Sequence, residues 1–249
     1  GVGRESCLPK TAWPPTSVKA IFPGKVVLVS GVMRDKAYEK MVSILTEMTT
    51  NNAMLNKSLH YRSYGNVFGN LCGAIFGGHA GGTEGTLVLQ TAYNIEGACL
   101  YGSCWALNFP FHLKWQSTTT RELLWLQSVL SQAMSRNSNL IFLNNLFANA
   151  GPGTDQLYWE CANHAIALES SGGNPWGAAT CRNKFTDMAT PLESRFYHET
   201  NEASFKMRLS RAKAEEICQK IMEKYEKLIP VDNYGKHIQE VYDMERLAP

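Results

Sequence analysis

The sequence carries little charge for its size: 18% of its 249 residues are charged, and the net charge is +2. Surfaces that hold nucleic acid or anionic membrane by long-range attraction are strongly basic, so a balance this close to zero excludes both as the main partner. No apolar run reaches the roughly 18–20 residues that span a bilayer, and no signal peptide is visible. Seven cysteines (Cys7, Cys72, Cys99, Cys104, Cys161, Cys181 and Cys218) occur without a CxxC pair. An odd, scattered set reads as reduced, mostly buried thiols in a cytoplasmic protein rather than a disulfide framework. No His–Cys cluster has ligand spacing, so no metal is expected. GK[ST], GxGxxG, GxSxG and HExxH are missing, which removes phosphate-loop, dinucleotide, serine-hydrolase and zincin chemistry. The chain begins with Gly1 rather than methionine, which reads as a processed product or a fragment of a longer polypeptide.

What is present is a rotation of short β-branched or apolar runs, loops and helical patterns. After an irregular segment to about Ser17, KVVLVS (25–30) predicts a strand. Residues 35 to about 56 carry Tyr38, Met41, Ile44, Leu45 and Met48 at helical spacing. NVFGNLCGAIF, NFPFHLKW, NLIFLNNLFA and NPWGAAT are further strand candidates. TLVLQTAYNIEGACL predicts a helix with Val88, Ala92, Ile95 and Cys99 inward. Thr119 and Glu122 form a capping box for a helix with Leu123, Leu126, Leu130 and Met134 inward. DQLYWECANHAIAL predicts a helix through Leu157, Cys161, Ala165 and Leu168, and charged helices follow Pro191, one of them with Ile217, Ile221, Tyr225 and Leu228 on a face.

The rotation predicts an α/β protein of (β/α)8 TIM-barrel type. About five units are present, which fits the C-terminal part of a barrel (1–190) followed by a helical extension packed on it (191–249). In such folds, ligand sites gather in the loops after strand C-termini. GGHAGGTEG, KWQSTTTRE and NAGPGTDQ therefore belong on one face.

IFGGHAGGTEGT (75–86) holds five glycines in twelve positions, as close approach to a ligand or tight turning demands. Glu84 would repel an anion there. It suits a small cation or amine on a glycine-lined wall, or else simply complements the dipole of the following helix. His112 alternates with Phe111 and Leu113 and so points to the other sheet face, as an acid, base or donor or as a hydrogen-bonded structural histidine. Arg121 in a first helical turn needs a carboxylate or an anionic ligand. Trp105 and Trp115 are core or pocket wall, and His79 and His164 receive no role.

Three segments, FGGHAGGTE (76–84), WALNFPFHLKWQSTTTRE (105–122) and AGPGT (150–154), resemble the monomethylamine:corrinoid methyltransferases of methylotrophic methanogens. The likeness runs from about His60 to His164 and corresponds to the second half of a family member. It implies a barrel that takes a methylated amine and passes the methyl group to Co(I) of a separate corrinoid protein docked at the mouth. This chain itself would bind no cofactor, and a homo-oligomer is implied. The family carries pyrrolysine in a Gly-Val-pyrrolysine-Gly-Pro-Glu stretch, assisted by two glutamates and a glutamine. This chain opens Gly1-Val2-Gly3-Arg4-Glu5-Ser6. One family glutamate falls on Leu71, the other near Met41 with Glu39 close by, and the glutamine falls on Asn145.

The resulting expectation is a relative with altered amine chemistry. Glu84, His112 and Asn145 would be catalytic, with Gly81, Gly82, Trp115, Arg121 and Asn144 around the substrate. The alternatives are a barrel that binds a corrinoid protein or oligomerises without turnover, and, more distantly, another barrel enzyme acting on a small amine.

Overall fold

The computed structural model describes residues 40–44 and 48–246. The irregular segment to Ser17, the strand expected at 25–30, the Gly1–Ser6 opening, Cys7 and Glu39 lie outside the described residues. Within them the order is β1 (Lys40–Ser43), α1 (Asn52–Ser63), β2 (Phe68–Cys72), β3 (Ile75–Phe76), α2 (Thr83–Glu96), β4 (Trp105–Asn108) and β5 (Phe111–His112). It continues with α3 (Arg121–Asn137), β6 (Ile141–Phe147), α4 (Asp155–Ser171), β7 (Pro175–Ala179), α5 (Pro191–Met207), α6 (Arg211–Tyr225) and α7 (Ile238–Val241).

β1, β2, β4, β6 and β7 form one parallel sheet in that order, and β3 pairs parallel with β5 in a two-stranded extension. Because all five strands run the same way, the loops after β2, β4, β6 and β7 open at one end. Side chains alternate across the strands. Val42, Ile44, Phe68 and Cys72 pack with Tyr93 of α2, and Ala106 and Phe142 pack with Leu130 and Met134 of α3, so these residues mark the outer, helix-covered face. Met41, Leu71, Trp105, Leu107, Ile141, Leu143 and Trp176 pack together on the opposite, inner face. α5 and α6 pack against α4 as a further outer layer.

Three local expectations are corrected. Of the helix expected over 35–56, residues 40–43 are a strand and 52–56 open α1, while 35–39 and 45–47 lie outside the described residues. Val42 and Ile44 satisfy an alternating pattern as well as a helical one, and pairing with β2 decides between them. α2 buries Thr86, Gln90, Tyr93 and Asn94, while Val88 and Ile95 are exposed. Its inward face is polar because β2 and β4 offer it Asn70, Cys72 and Asn108. α3 is capped by Thr120 without a side-chain hydrogen bond, because the Thr119 hydroxyl is engaged elsewhere.

The inward apolar rows of α3 and α4 are buried as the periodicity requires. In α6, Ile221 and Tyr225 are buried, but Leu228 lies in the closing turn and is exposed. Among the described residues no helix is long and apolar enough to cross a membrane.

Candidate functional site

The strand C-termini meet at one rim. Thr118 N donates to Phe147 O at 3.0 Å and its Oγ1 accepts from Phe147 N at 2.9 Å, so the loop after β4 continues the sheet beside β6. Arg182 N donates to Ala148 O at 2.8 Å, which joins the loop after β7 to the same end. The pairing of Phe76 with His112 links the glycine-rich loop to that row.

The glycines of that loop serve its own turn. Gly77 N donates to Gly81 O and Gly81 N to Gly78 O, both at 3.0 Å, with φ of +79° at Gly77 and +74° at Gly81. A Cβ on Gly85 would collide with the carbonyl of Ala80, so the first turn of α2 sits directly on its own loop. Gly81 alone is open, with nothing within 4 Å of where a Cβ would stand, and Gly82 caps α2.

Glu84 is exposed in the first turn of α2, where its charge complements the helix dipole. It lines a groove of about 520 Å³ with Arg121, Glu122 and Trp125, bounded on its far side by α6. That groove lies among the outer helices. Glu84 thus faces a cavity, but not the inner face of the sheet.

The other expected site residues are dispersed. The guanidinium of Arg121 forms a bidentate pair with Glu226 at 2.8 and 2.9 Å and also holds Gln219, so its carboxylate comes from the turn that closes α6. Trp115 packs with Leu124, Ile166, Met222 and Tyr225 between the outer helices. Asn144 points outward to the Ser131 hydroxyl at 3.3 Å, since it sits one residue before Asn145 on a strand of period two. His112 stays at the rim, half-buried against Phe76. Its Nδ1 accepts from Lys114 N at 3.0 Å, which leaves Nε2 to carry the proton of the neutral ring, and burial pushes its pKa down.

Asn145 is on the inner face, level with Trp176 of β7, and its amide has no hydrogen-bond partner among the described residues. Below it the register stacks the inner face in layers. Leu71, Leu107 and Leu143 align across three strands, and Met41, Gly69, Trp105 and Ile141 align across four. The Trp105 ring occupies the space a side chain on Gly69 would take and stacks near Trp176, with centroids 6.4 Å apart at 19°. Nearer the mouth the Phe109 ring covers Gly73 and meets Phe147 at 5.7 Å. Among the described residues the inner face is therefore mostly apolar and aromatic, with Ser43 of β1 level with the leucine layer and Asn145 above it as its polar side chains. Among the described residues no group of three or more His, Cys, Asp or Glu is placed to hold a metal ion.

The rim also holds residues that the sequence reading passed over. Glu160 of α4, fully buried, accepts from Thr119 Oγ1, Asn149 N, Ala150 N and Gln156 Nε2 at 2.5–3.1 Å. Burial pushes its carboxyl up, against the pull of those donors. Cys181, Arg182 and Asn183 are three successive non-glycine residues with φ of 52–56°. That strained turn is held by Cys181 N on Ala150 O and Arg182 N on Ala148 O. Arg182, nearly buried, reaches Asn149 Oδ1 at 2.5 Å, Ile229 O at 3.3 Å and Asp232 at 3.2 Å.

Residues 229–238 cross the rim as a strap. Asn233 O accepts from Gly151 N, and Lys236 N donates to Pro152 O. A side chain on Gly151 would strike the carbonyl of Tyr234, so the glycine of AGPGT admits the strap's backbone. A C-terminal PVDNYGKH segment offers no periodic signal by which its docking could have been found.

Comparison with known proteins adds the following. A family model described as monomethylamine methyltransferase MtmB matches residues 14–249. Monomethylamine methyltransferase MtmB1 of Methanosarcina barkeri is 29% identical over 209 residues, 84% of this chain and 45% of that protein. MtmB2 of Methanosarcina acetivorans is 28% identical over 237 residues, 95% and 51% of the two chains. The crystal structure of the Methanosarcina barkeri monomethylamine methyltransferase matches with a TM-score of 0.82 at 27% identity, covering 86% of this chain and 47% of that one. The crystal structure of a hydroxylamine MtmB complex matches with the same TM-score, identity and coverage. The fold is thus the TIM-barrel type expected from the strand–helix rotation, and the chain spans about half the length of the curated relatives it matches.

Proposed function

Because the chain belongs to the monomethylamine methyltransferase MtmB family, we propose that it takes part in moving a methyl group from a methylated amine to Co(I) of a corrinoid carried by a separate protein. In this reading the C–N bond breaks, the amine leaves with the electron pair, and the carbon bonds to cobalt. The corrinoid protein is a second substrate that approaches the strand C-termini and supplies the nucleophile.

The observation that carries the reading is the shared inner-face position of Leu71 and Asn145, where the family resemblance puts a glutamate and the glutamine, and of Met41, near which it puts the other glutamate. Asn145 then supplies a carbonyl oxygen that accepts an N–H of the ammonium. Trp105, Trp176 and the leucine layer exclude water around the carbon to be transferred. An amine leaving group held dry and in one orientation is where such a site gains rate, because positioning and desolvation act on the transition state. His112 sits at the rim with its neutral ring's Nε2–H unassigned, as a donor to an incoming group. The open Gly81 leaves backbone exposed for close approach.

Leu71 favours a second reading. With an aliphatic side chain where a family carboxylate falls, the chain is a member with altered amine use, or one that holds a corrinoid protein without turnover.

One experiment separates these. The purified chain is mixed with a corrinoid protein reduced to Co(I) and a panel of mono-, di-, tri- and quaternary methylated amines, and corrinoid absorbance is followed. Methylation with at least one amine, reduced tenfold or more in Asn145→Leu, supports transfer. Co-elution with the corrinoid protein and an unchanged spectrum for every amine supports the binding-only reading. Neither response removes both.

A further inference from the structure

Glu160 is fully buried, and nothing in the methyl-transfer reading touches it. Its carboxylate is saturated: Oε2 accepts from Thr119 Oγ1 and Asn149 N, and Oε1 accepts from Ala150 N and Gln156 Nε2. Two of the donors are backbone amides of the loop after β6, and one is a hydroxyl of the loop after β4. Thr119 is gripped from its other side, where its carbonyl accepts from the Tyr225 hydroxyl at 2.8 Å. Asn149 extends the chain of contacts, since its side chain accepts from Arg182 in the strained turn after β7 and its amide donates to Val231 O of the strap at 3.4 Å.

We infer that Glu160 is the positioning residue of the barrel mouth: it fixes the loops after β4, β6 and β7 and the 229–238 strap relative to one another. The consequence for turnover rests on the methyl-transfer reading, while the ordering of the loops does not. The chemistry calls for a carboxylate. Four donors converge on one group, and an ionised carboxylate is the side chain that only accepts. Glutamine would turn an NH2 against at least one of those donors, and an apolar replacement would leave two buried N–H groups without acceptors.

The test is hydrogen–deuterium exchange on the full chain, comparing wild type, Glu160→Gln and a control, Leu130→Ala, which opens a cavity on the outer face against Ala106, Met134 and Phe142. The inference expects at least tenfold faster exchange over 148–152 and 229–236 in Glu160→Gln, with α3 unchanged and no such pattern in the control. Equal or diffuse acceleration in both variants overturns it.

If Glu160→Gln does not fold, Thr119→Val removes one donor and Thr119→Ser restores it. The valine variant alone should exchange faster at 148–152, and identical exchange in all three chains overturns the inference. Where wild type methylates the corrinoid, Glu160→Gln should lower kcat tenfold or more with KM within threefold. Loss confined to KM, or no loss, defeats the consequence for turnover. Wild type inert toward every amine defeats the functional reading while the exchange pattern still decides the role of Glu160.

Discussion

On the outer face of β2 and β4 the chain buries Asn70, Cys72 and Asn108 against Gln90 and Asn94 of α2, whereas the inner face of the same strands carries Leu71, Trp105 and Leu107. The outer polar groups are joined to one another. Gln90 Oε1 accepts from Ala74 N at 2.9 Å, and its Nε2 reaches Asn108 Oδ1 at 2.6 Å and Cys72 O at 3.2 Å. Burial pushes the Cys72 thiol up to about 12, so it stays protonated in the middle of this network. Among the described residues the inner face is the inverse, mostly apolar, with Ser43 at the β1 edge and Asn145 nearer the mouth as its polar side chains. Burial of polar side chains therefore does not mark the site here. Outside the sheet it fixes the seat of α2 through directional bonds, while inside, Leu71 is aliphatic at the place where the family resemblance puts a carboxylate.

Leu71→Glu is the strongest way to break that contrast. Leu71 is half-buried among Leu107, Leu143 and Trp105, with Ser43 level with it on β1, so a carboxylate there is partly desolvated at a cost of roughly 1–3 kcal/mol. Chemical denaturation should show that loss. Millimolar methylammonium should then return part of it, since a cation that binds the folded state alone stabilises it by mass action. A variant as stable as wild type would mean that the inner face is wetter than its packing requires. A destabilised variant indifferent to the amine would remove the interior as a cation site.

The outer layer has its own signature in acid. His164 is fully buried between the Tyr197 hydroxyl at 2.6 Å and Gln127 at 3.1 Å, and burial lowers its pKa from 6.5 to about 3. Its folded pKa lies below its unfolded one, so its contribution is complete above pH 6.5 and is lost as pH falls toward 3. The slope is about 1.4 kcal/mol per pH unit for one proton. Denaturation curves between pH 6.5 and 4 should steepen accordingly in wild type and lose one proton's slope in His164→Gln. Equal slopes would show that His164 takes up its proton in the fold. Smaller again is Gln90→Leu, which orphans Ala74 N and leaves Asn108 Oδ1 only the weak Cys72 thiol as donor, for roughly 2 kcal/mol. A neutral result there would mean that water replaces the amide.

Much of the frame was legible in the residues. The rows Leu123–Met134 and Leu157–Leu168 announced α3 and α4 because each packs one continuous apolar stripe, and the strand runs of β2, β4, β6 and β7 are apolar enough to declare burial. α2 was misread because its buried side is made of Gln90, Asn94 and Thr86, and hydrophobicity says nothing about amides that find partners on a neighbouring strand. The site was legible only in outline. The three loops do share one rim, but spacing alone cannot tell that Thr119 serves Glu160 rather than its own helix. Nor can it tell that Arg121 is claimed by Glu226, 105 residues away, or that a glycine in AGPGT admits the strap. Those choices are made by long-range contacts.

The smallest expected effects test whether the rim and the helical exterior are separate in function. Arg121 and Glu226 are well aligned, yet both side chains are over 40% exposed, so solvent screens the pair and Arg121→Ala should cost no more than about 1 kcal/mol. Glu84→Gln removes a charge that complements the α2 dipole, worth roughly 0.3–1 kcal/mol. Both residues line the outer groove rather than the inner face. If the interior holds the amine, neither variant changes corrinoid methylation beyond twofold, while Asn145→Leu does. Should Glu84→Gln instead abolish amine use with its melting temperature intact, the amine is held by the glycine-rich loop and the groove beside it. The apolar inner face would then be core, and the division between the two faces of the sheet would be one of packing alone.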